Sequence, residues 1–295
     1  MADTSRETKA HESDVPRDSA QETEKEPVER VQEEAKEVAQ EAKQDVAAAR
    51  LPWYRRLKRG YIFLAIYGVM VILFGLLATF VHFHSVLGVD VTITKEFQEN
   101  QSPWLSGLMT AVSYIGYQDW LSVLLVLVAA VILWLVDLRL EAVTVAVVYA
   151  VSGLLNAGIK LIVGRPRPNA SLVEVFRVAS GQSFPSGHVM SYVAFWGLLF
   201  TFGVILFGGW RWWRIALLVV SAFFVVMVGP SRIYLGAHWA SDVLGAYLIE
   251  AALLGIALFI YLQLDQRGVL AAHRSHTWFS AKKIARGKYR LTKKA

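Results

Sequence analysis

Six stretches of the chain are apolar enough to enter a hydrocarbon layer, which is about 30 Å thick and needs roughly 20 helical residues to cross. They are residues 61–83, 120–136, 142–163, 189–207, 215–230 and 239–262. Two of them, 120–136 and 215–230, are short for a span. A further patch at 104–117 is interrupted by Gly and Ser and predicts an interfacial segment. Backbone groups in lipid must be satisfied internally, so apolar runs of this length predict helices. The expected fold is all-α, a polytopic membrane protein with six transmembrane helices in a bundle and a polar N-terminal extension.

The text before the first run is of another kind. Residues 1–27 are rich in Glu, Asp, Lys, Ser and Thr without apolar rhythm, which predicts a disordered head. From residue 28 strong helix formers take over. Val31, Ala35, Val38, Ala42, Val46 and Ala49 recur at steps of three and four and mark one narrow face. That face suits either a partner-docking or coiled-coil helix or a solvated stalk. The domain reading is a head at 1–27, a helical stalk at 28–59, a six-span domain at 60–264 and a basic tail at 265–295. About sixty residues precede the first apolar run, so no signal peptide is expected.

Charge sharpens the division. Residues 1–50 carry 14 acids and 8 bases, whereas the whole chain holds 24 and 30 and is net +6. The apolar body is therefore basic, which suits anionic head groups and a membrane rim. It is too apolar for a nucleic-acid partner. Cysteine is absent, which excludes disulfides, thiolate chemistry and cysteine metal sites. Bases also orient the spans. Arg55, Arg56, Lys58 and Arg59 precede the first, Arg139 follows the second, Arg211 and Arg214 follow the fourth, and seven Lys and Arg between 282 and 294 follow the sixth. With six spans all these lie on one side. Both termini are then cytoplasmic, in a cell inner membrane. The cluster Trp210, Trp212 and Trp213 fits an aromatic belt at the inner interface.

This topology brings the ends of spans three to six to the outer face, and the polar residues between 160 and 242 collect there. Lys160, Arg167 and Arg232 supply cations for phosphate oxygens. Ser186 and Gly187 offer a hydroxyl and an amide at a helix start, where unpaired N–H groups favour anions. His238 and Asp242 stand four apart and share a helical face. A carboxylate there can hold the imidazole in one tautomer and leave its other nitrogen free as a nucleophile. His188 supplies a group able to protonate a leaving oxygen near neutral pH. The set meets the needs of phosphoryl transfer: positioning, charge stabilisation and a proton. The cations already neutralise phosphate and no acidic cluster is at hand for magnesium, so no metal and no cofactor are expected.

These residues also resemble a known pattern. Lys160, six residues and Arg167-Pro168; Pro185-Ser186-Gly187-His188; and Ser231-Arg232, five residues, His238, three residues and Asp242 are similar, in order, to the three signatures of the type 2 phosphatidic acid phosphatase superfamily. The segment 164–168 holds two Arg-Pro pairs. Only Arg167 has the family spacing from Lys160, so Arg165 is a neighbour with an accessory role at most. The resemblance implies a histidine nucleophile (His238), a histidine acid (His188), Asp242 as its partner, and phosphate ligands at Lys160, Arg167, Ser186, Gly187 and Arg232. It implies hydrolysis of a phospholipid or polyprenyl phosphate drawn from the lipid bilayer. Substrates in that class are phosphatidic acid, phosphatidylglycerophosphate and polyprenyl diphosphates, the last slightly favoured. A lipid-to-lipid phosphotransferase and a non-catalytic lipid-binding relative are the alternatives. Trp239 and Tyr234 flank the third signature and are candidates to line the path of lipid access. His82 and His84 read as interfacial, and His273 and His276 as solvated.

Overall fold

The computed structural model of the chain describes residues 53–117, 119–176, 179–207, 210–267 and 269–270. The chain divides into two compact units, Met1–Phe63 and Leu64–Ala295. Of the first, only the helical residues 53–63 are described. The head, most of the stalk, the tail from 271 onward, and with it His273 and His276, lie outside the described residues.

Among the described residues there are helices and no strands. They are α1 (Trp53–Phe83), α2 (Gly88–Gln98), α3 (Pro103–Tyr117), α4 (Asp119–Leu135), α5 (Arg139–Val163), α6 (Gly187–Ile205), α7 (Trp212–Tyr234) and α8 (Ala240–Gln266). Five of these, α1 and α5 to α8, are each long and apolar enough to cross a membrane, and α3 with α4 supplies a sixth as a pair bent by 74°. The short run at 215–230 is part of a 23-residue helix, because α7 extends past Pro230 through the buried motif residues Ser231 and Arg232. The patch at 104–117 is more than an interfacial strip. It forms α3, which buries Met109, Val112 and Ser113, and Met109 packs with Tyr234 and Leu235 at the end of α7.

The helices are apolar around most of their circumference, and large side chains face outward: Leu76 is 64 % exposed, Leu135 76 % and Leu161 77 %. Lipid covers such surfaces without cost, so the protein is a multi-pass membrane protein held together by close packing more than by exclusion of water. Half of the α6 span is buried, against 11 % of α1, which makes α6 the centre of the bundle. Its middle is a π-helical turn, Val193–Gly197. Around that turn Ala194, Phe195 and Leu198 pack with Val145 of α5 and Tyr261 of α8. Toward the motif end, Val189 and Met190 pack with Val228 of α7 and Ala246 of α8.

Chain breaks determine where the motif loops begin. α5 stops at Gly164, whose φ of 63° puts it in the left-handed region and whose N–H caps the Lys160 carbonyl. Pro166 and Pro168 then bar any continuation of the helix. A second left-handed glycine, Gly236, turns the chain between α7 and α8, and a Cβ there would collide with the Glu174 carbonyl. α8 starts where the Asp242 carboxylate accepts the Trp239 backbone N–H at 2.8 Å, an acidic residue in the first turn where the helix dipole favours it.

Candidate active site

The loop after α5, the start of α6, the end of α7 and the start of α8 converge on one cavity of about 500 Å³. Arg167, Gly187, His188, Arg232 and His238 line it. These residues lie up to 71 positions apart in the chain, and the crossing of α5 to α8 brings them together. The volume is of the size that takes a small ligand or a lipid head group.

His238 is buried, with its ring held at both nitrogens. An Arg167 guanidinium nitrogen lies 3.0 Å from Nε2. Arg167 is itself anchored by donation to the Ser180, Gly181 and Ala237 carbonyls. On the other side of the ring, Nδ1 is 3.4 Å from the Ser183 hydroxyl and 3.7 Å from the nearest Asp242 oxygen. The second distance is too long for a hydrogen bond. The expected direct hold of Asp242 on the ring is therefore replaced by a relay: Ser183 donates to Asp242 at 2.5 Å and offers its lone pairs to Nδ1. Asp242 does not come closer because its oxygens are already engaged, Oδ2 by the Trp239 N–H and Ser183 and Oδ1 by Arg165 at 2.6 Å. Burial pushes the His238 pKa well below its ordinary value, and the cations Arg167, Arg232 and Lys160 push in the same direction. The imidazole is thus neutral near pH 7. With its proton on Nδ1 toward Ser183, the Nε2 lone pair is the accepting one. Burial and the neighbouring Arg232 likewise lower Arg167, with Asp242 opposing.

The other expected residues fall as follows. The His188 ring is edge-on to Tyr117, with centroids 5.2 Å apart. Its Nε2 is buried with no hydrogen-bond partner among the described residues. Arg232 is buried and its guanidinium lies 4.9 Å from the centre of the Tyr117 ring. Lys160 and Ser186 stand behind the cavity wall. Lys160 donates to the Gln182 carbonyl at 2.5 Å, and the Ser186 hydroxyl is buried without a hydrogen-bond partner among the described residues.

Arg165 proves to be more than a neighbour. It is fully buried between two carboxylates, Asp242 at 2.6 Å and Asp90 of α2 at 2.7 Å, and also donates to Ser241 and the Ser85 carbonyl. Asp90 in turn accepts from the N–H and hydroxyl of Ser241. Neither Ser183 nor Asp90 was expected from the sequence. Ser183 could have been noticed as a hydroxyl residue two positions before Pro185; Asp90 carries no local signal. Trp239 and Tyr234 do not line a lipid path. Both are buried, Trp239 with its indole N–H on the Pro166 carbonyl and Tyr234 stacked on Phe176. His82 and His84 are exposed, each with Nδ1 at a backbone carbonyl, of Val163 and Phe80 respectively.

This geometry can be compared with known proteins. The model of the PAP2 superfamily matches residues 141–267, a segment that contains every cavity residue named above. Residues 141–267 form a PAP2 superfamily domain. Over 191 residues the chain is 29 % identical to phosphatidylglycerophosphatase B of Bacillus subtilis, covering 64 % of this chain and 89 % of the relative. Over 209 residues it is 24 % identical to the undecaprenyl-diphosphatase of Sulfolobus acidocaldarius, covering 68 % and 92 %. The fold of the PAP2 domain and its added helices also matches the crystal structure of a transmembrane PAP2-type phosphatidylglycerolphosphate phosphatase from Bacillus subtilis. There the TM-score is 0.55 at 24 % identity, over 68 % of this chain and 96 % of that one.

Proposed function

We propose that this chain, a hydrolase of the PAP2 superfamily, removes the terminal phosphate from an amphipathic lipid phosphate or diphosphate through a phosphohistidine at His238. The observation that carries the reading is the state of the His238 ring: neutral, its Nδ1 backed by Ser183 and Asp242, and its Nε2 at the cavity beside Arg167. That is the arrangement of an activated nitrogen nucleophile next to a cation that can take the phosphate.

The steps follow from the residues. A lipid phosphate enters the cavity, and Arg167 transfers its hydrogen bond from Nε2 to a phosphate oxygen, which uncovers the lone pair. Arg232 and the Gly187 amide hold the remaining oxygens, while Lys160 and Ser186 support them from behind the wall. Nε2 attacks phosphorus; the N–P bond forms as the bond to the lipid oxygen breaks, and His188 delivers the proton that oxygen needs. The charge that His238 gains is offset through Ser183 by Asp242, which Arg165 keeps in place. Water, deprotonated by the now neutral His188, then attacks phosphorus. The N–P bond breaks, inorganic phosphate leaves, and both histidines return to their starting states. No step calls on a metal ion, since Arg167 and Arg232 at the cavity, with Lys160 behind its wall, supply the compensating positive charge. The loop charges support an active site on the outer face of a cell inner membrane with both termini cytoplasmic, and the lateral apolar surface supports substrate arriving from the bilayer.

The test is phosphate release by detergent-solubilised protein in EDTA from phosphatidic acid, phosphatidylglycerophosphate and a prenyl diphosphate. Release that survives EDTA and vanishes in His238→Ala is expected. An equally active His238→Ala enzyme refutes the histidine mechanism. Acid-labile, base-stable label trapped on the protein from a radioactive phosphate donor is the second expected result.

A further inference from the structure

The cavity continues past the phosphate cradle, and beyond His188 its wall is neutral and polar, formed by Ser122, Tyr149, Ser152, Asn156 and Ser191. Asn156 is level with the cradle, because a Cβ on Gly187 would lie 3.0 Å from its Oδ1. Ser152 is one helical turn further from Lys160 along α5, a rise of roughly 6 Å. A group at that level is only a few bonds from a phosphorus atom in the cradle, on the side of the alcohol that leaves.

Ser152 is not an ordinary small lining residue. Its hydroxyl donates at 2.7 Å to Oε2 of Glu250 on α8. Glu250 is fully buried, and its Oε1 has no hydrogen-bond partner among the described residues. A carboxyl group inside an apolar bundle is costly, and the catalytic steps above make no use of it. A serine hydroxyl has a single proton. With that proton directed to Glu250, Ser152 presents only lone pairs to the cavity and is matched to a hydrogen-bond donor.

We propose that Ser152, keyed by Glu250, is a leaving-group subsite that accepts a hydrogen bond from a hydroxyl on the alcohol side of the scissile bond. It selects polyol head groups of the glycerol type. A leaving group that ends in a second phosphate brings only acceptor oxygens to a serine with no proton to give. A diacylglycerol or a prenyl chain leaves the buried hydroxyl unmatched. The proposal rests on the phosphatase reading of the same site.

The experiment compares kcat/KM for three substrates. Phosphatidylglycerophosphate has a hydroxyl beside its scissile bond; phosphatidic acid and a prenyl diphosphate have none. Wild type is expected to prefer the first. Ser152→Ala should lower that preference over phosphatidic acid about tenfold, the effect of one buried hydrogen bond. Glu250→Gln, whose amide can donate to Ser152 and turn its proton toward the cavity, should lower it in the same direction. Ser152→Thr, which keeps the hydroxyl, should keep the preference. An unchanged ratio in both Ser152→Ala and Glu250→Gln, an equal fall on all three substrates, or a wild type that prefers the prenyl diphosphate overturns the subsite. The phosphatase reading survives those results if His238→Ala abolishes release. If wild type releases no phosphate from any of the three, or His238→Ala matches it, the phosphatase reading itself falls and takes the subsite with it.

Discussion

Replacing Ser183 by Ala tests the relay between His238 and Asp242 most directly. Ser183 is completely buried, and its hydroxyl lies 3.4 Å from His238 Nδ1, nearer than the Asp242 oxygen at 3.7 Å, while donating to Asp242 at 2.5 Å. Without it, Asp242 Oδ2 keeps the Trp239 N–H at 2.8 Å and the His238 ring keeps its hydrogen bond to the Ser183 backbone, but the hydroxyl link between the ring and the carboxylate is lost. A hydrogen bond to a charged group contributes about 1.5–3 kcal/mol. Part of that loss falls on the ground state. The larger part falls on the transition state, where the ring gains positive charge and its N–H bond would strengthen. Each 1.36 kcal/mol is tenfold in rate, so kcat should drop between about 10- and 100-fold. The phosphate ligands are untouched, so KM for phosphatidic acid should change by less than about threefold. The assay is phosphate release in mixed micelles, with rapid-quench measurement of labelled protein to isolate the attack step. A thermal scan alongside confirms that the variant is folded. If Ser183→Ala keeps kcat within twofold of wild type while Asp242→Ala loses orders of magnitude, the carboxylate reaches the ring without the serine and the relay is refuted.

Three further outcomes follow from the same geometry. Arg165→Ala strands two buried carboxylates and should destabilise the protein by about 3–5 kcal/mol, seen as a lower melting temperature in detergent; adding Asp90→Asn should recover part of the loss, and no recovery would show that the two carboxylates are not what Arg165 holds. His238, depressed by burial and neighbouring cations, should stay neutral well below its ordinary value of 6.5. As pH falls through about 6.5 the unfolded chain takes up this proton first, so stability should decline on the acid side; a His238 NMR titration midpoint near 6.5 would contradict this. Gly116→Ala should cut kcat at least about tenfold, because its Cβ would overlap the His188 ring, and overpacking of this kind costs about 1–3 kcal/mol unless neighbours move; wild-type turnover would mean that His188 can sit elsewhere.

Most of the architecture is legible in the text because membrane spans are written locally. A run such as 142–163 predicts its helix from composition alone, and α5 confirms it within a few residues. Local signals are weakest where an element is short or amphipathic. α2 carries Asp90, Thr94 and Gln98 on a buried face, so no apolar rhythm announces it. Gly and Ser interrupt the apolar pattern of α3, yet these small residues are what admit close neighbours: Gly116 faces the His188 ring and Ser113 meets Ser231 at 2.9 Å.

At the site, the amino-acid order by itself determined the cast. Lys160 and Arg167, the Ser186–His188 turn, and His238 with Asp242 are each related by a few residues, so helical spacing and chain breaks suffice to place them at one end of the bundle. Which buried group satisfies which was decided by the tertiary structure. Arg165 pairs with Asp90 75 positions away, and the Ser183 hydroxyl stands between the His238 ring and Asp242. The Ser152–Glu250 contact joins residues 98 apart. The physical reason is the range of the forces involved. Hydropathy, capping and periodicity act over three to four residues and survive in the linear text. A buried hydrogen bond depends on ångström-level distances between helices, and those are set by the summed packing of many apolar side chains, none of which carries the chemistry.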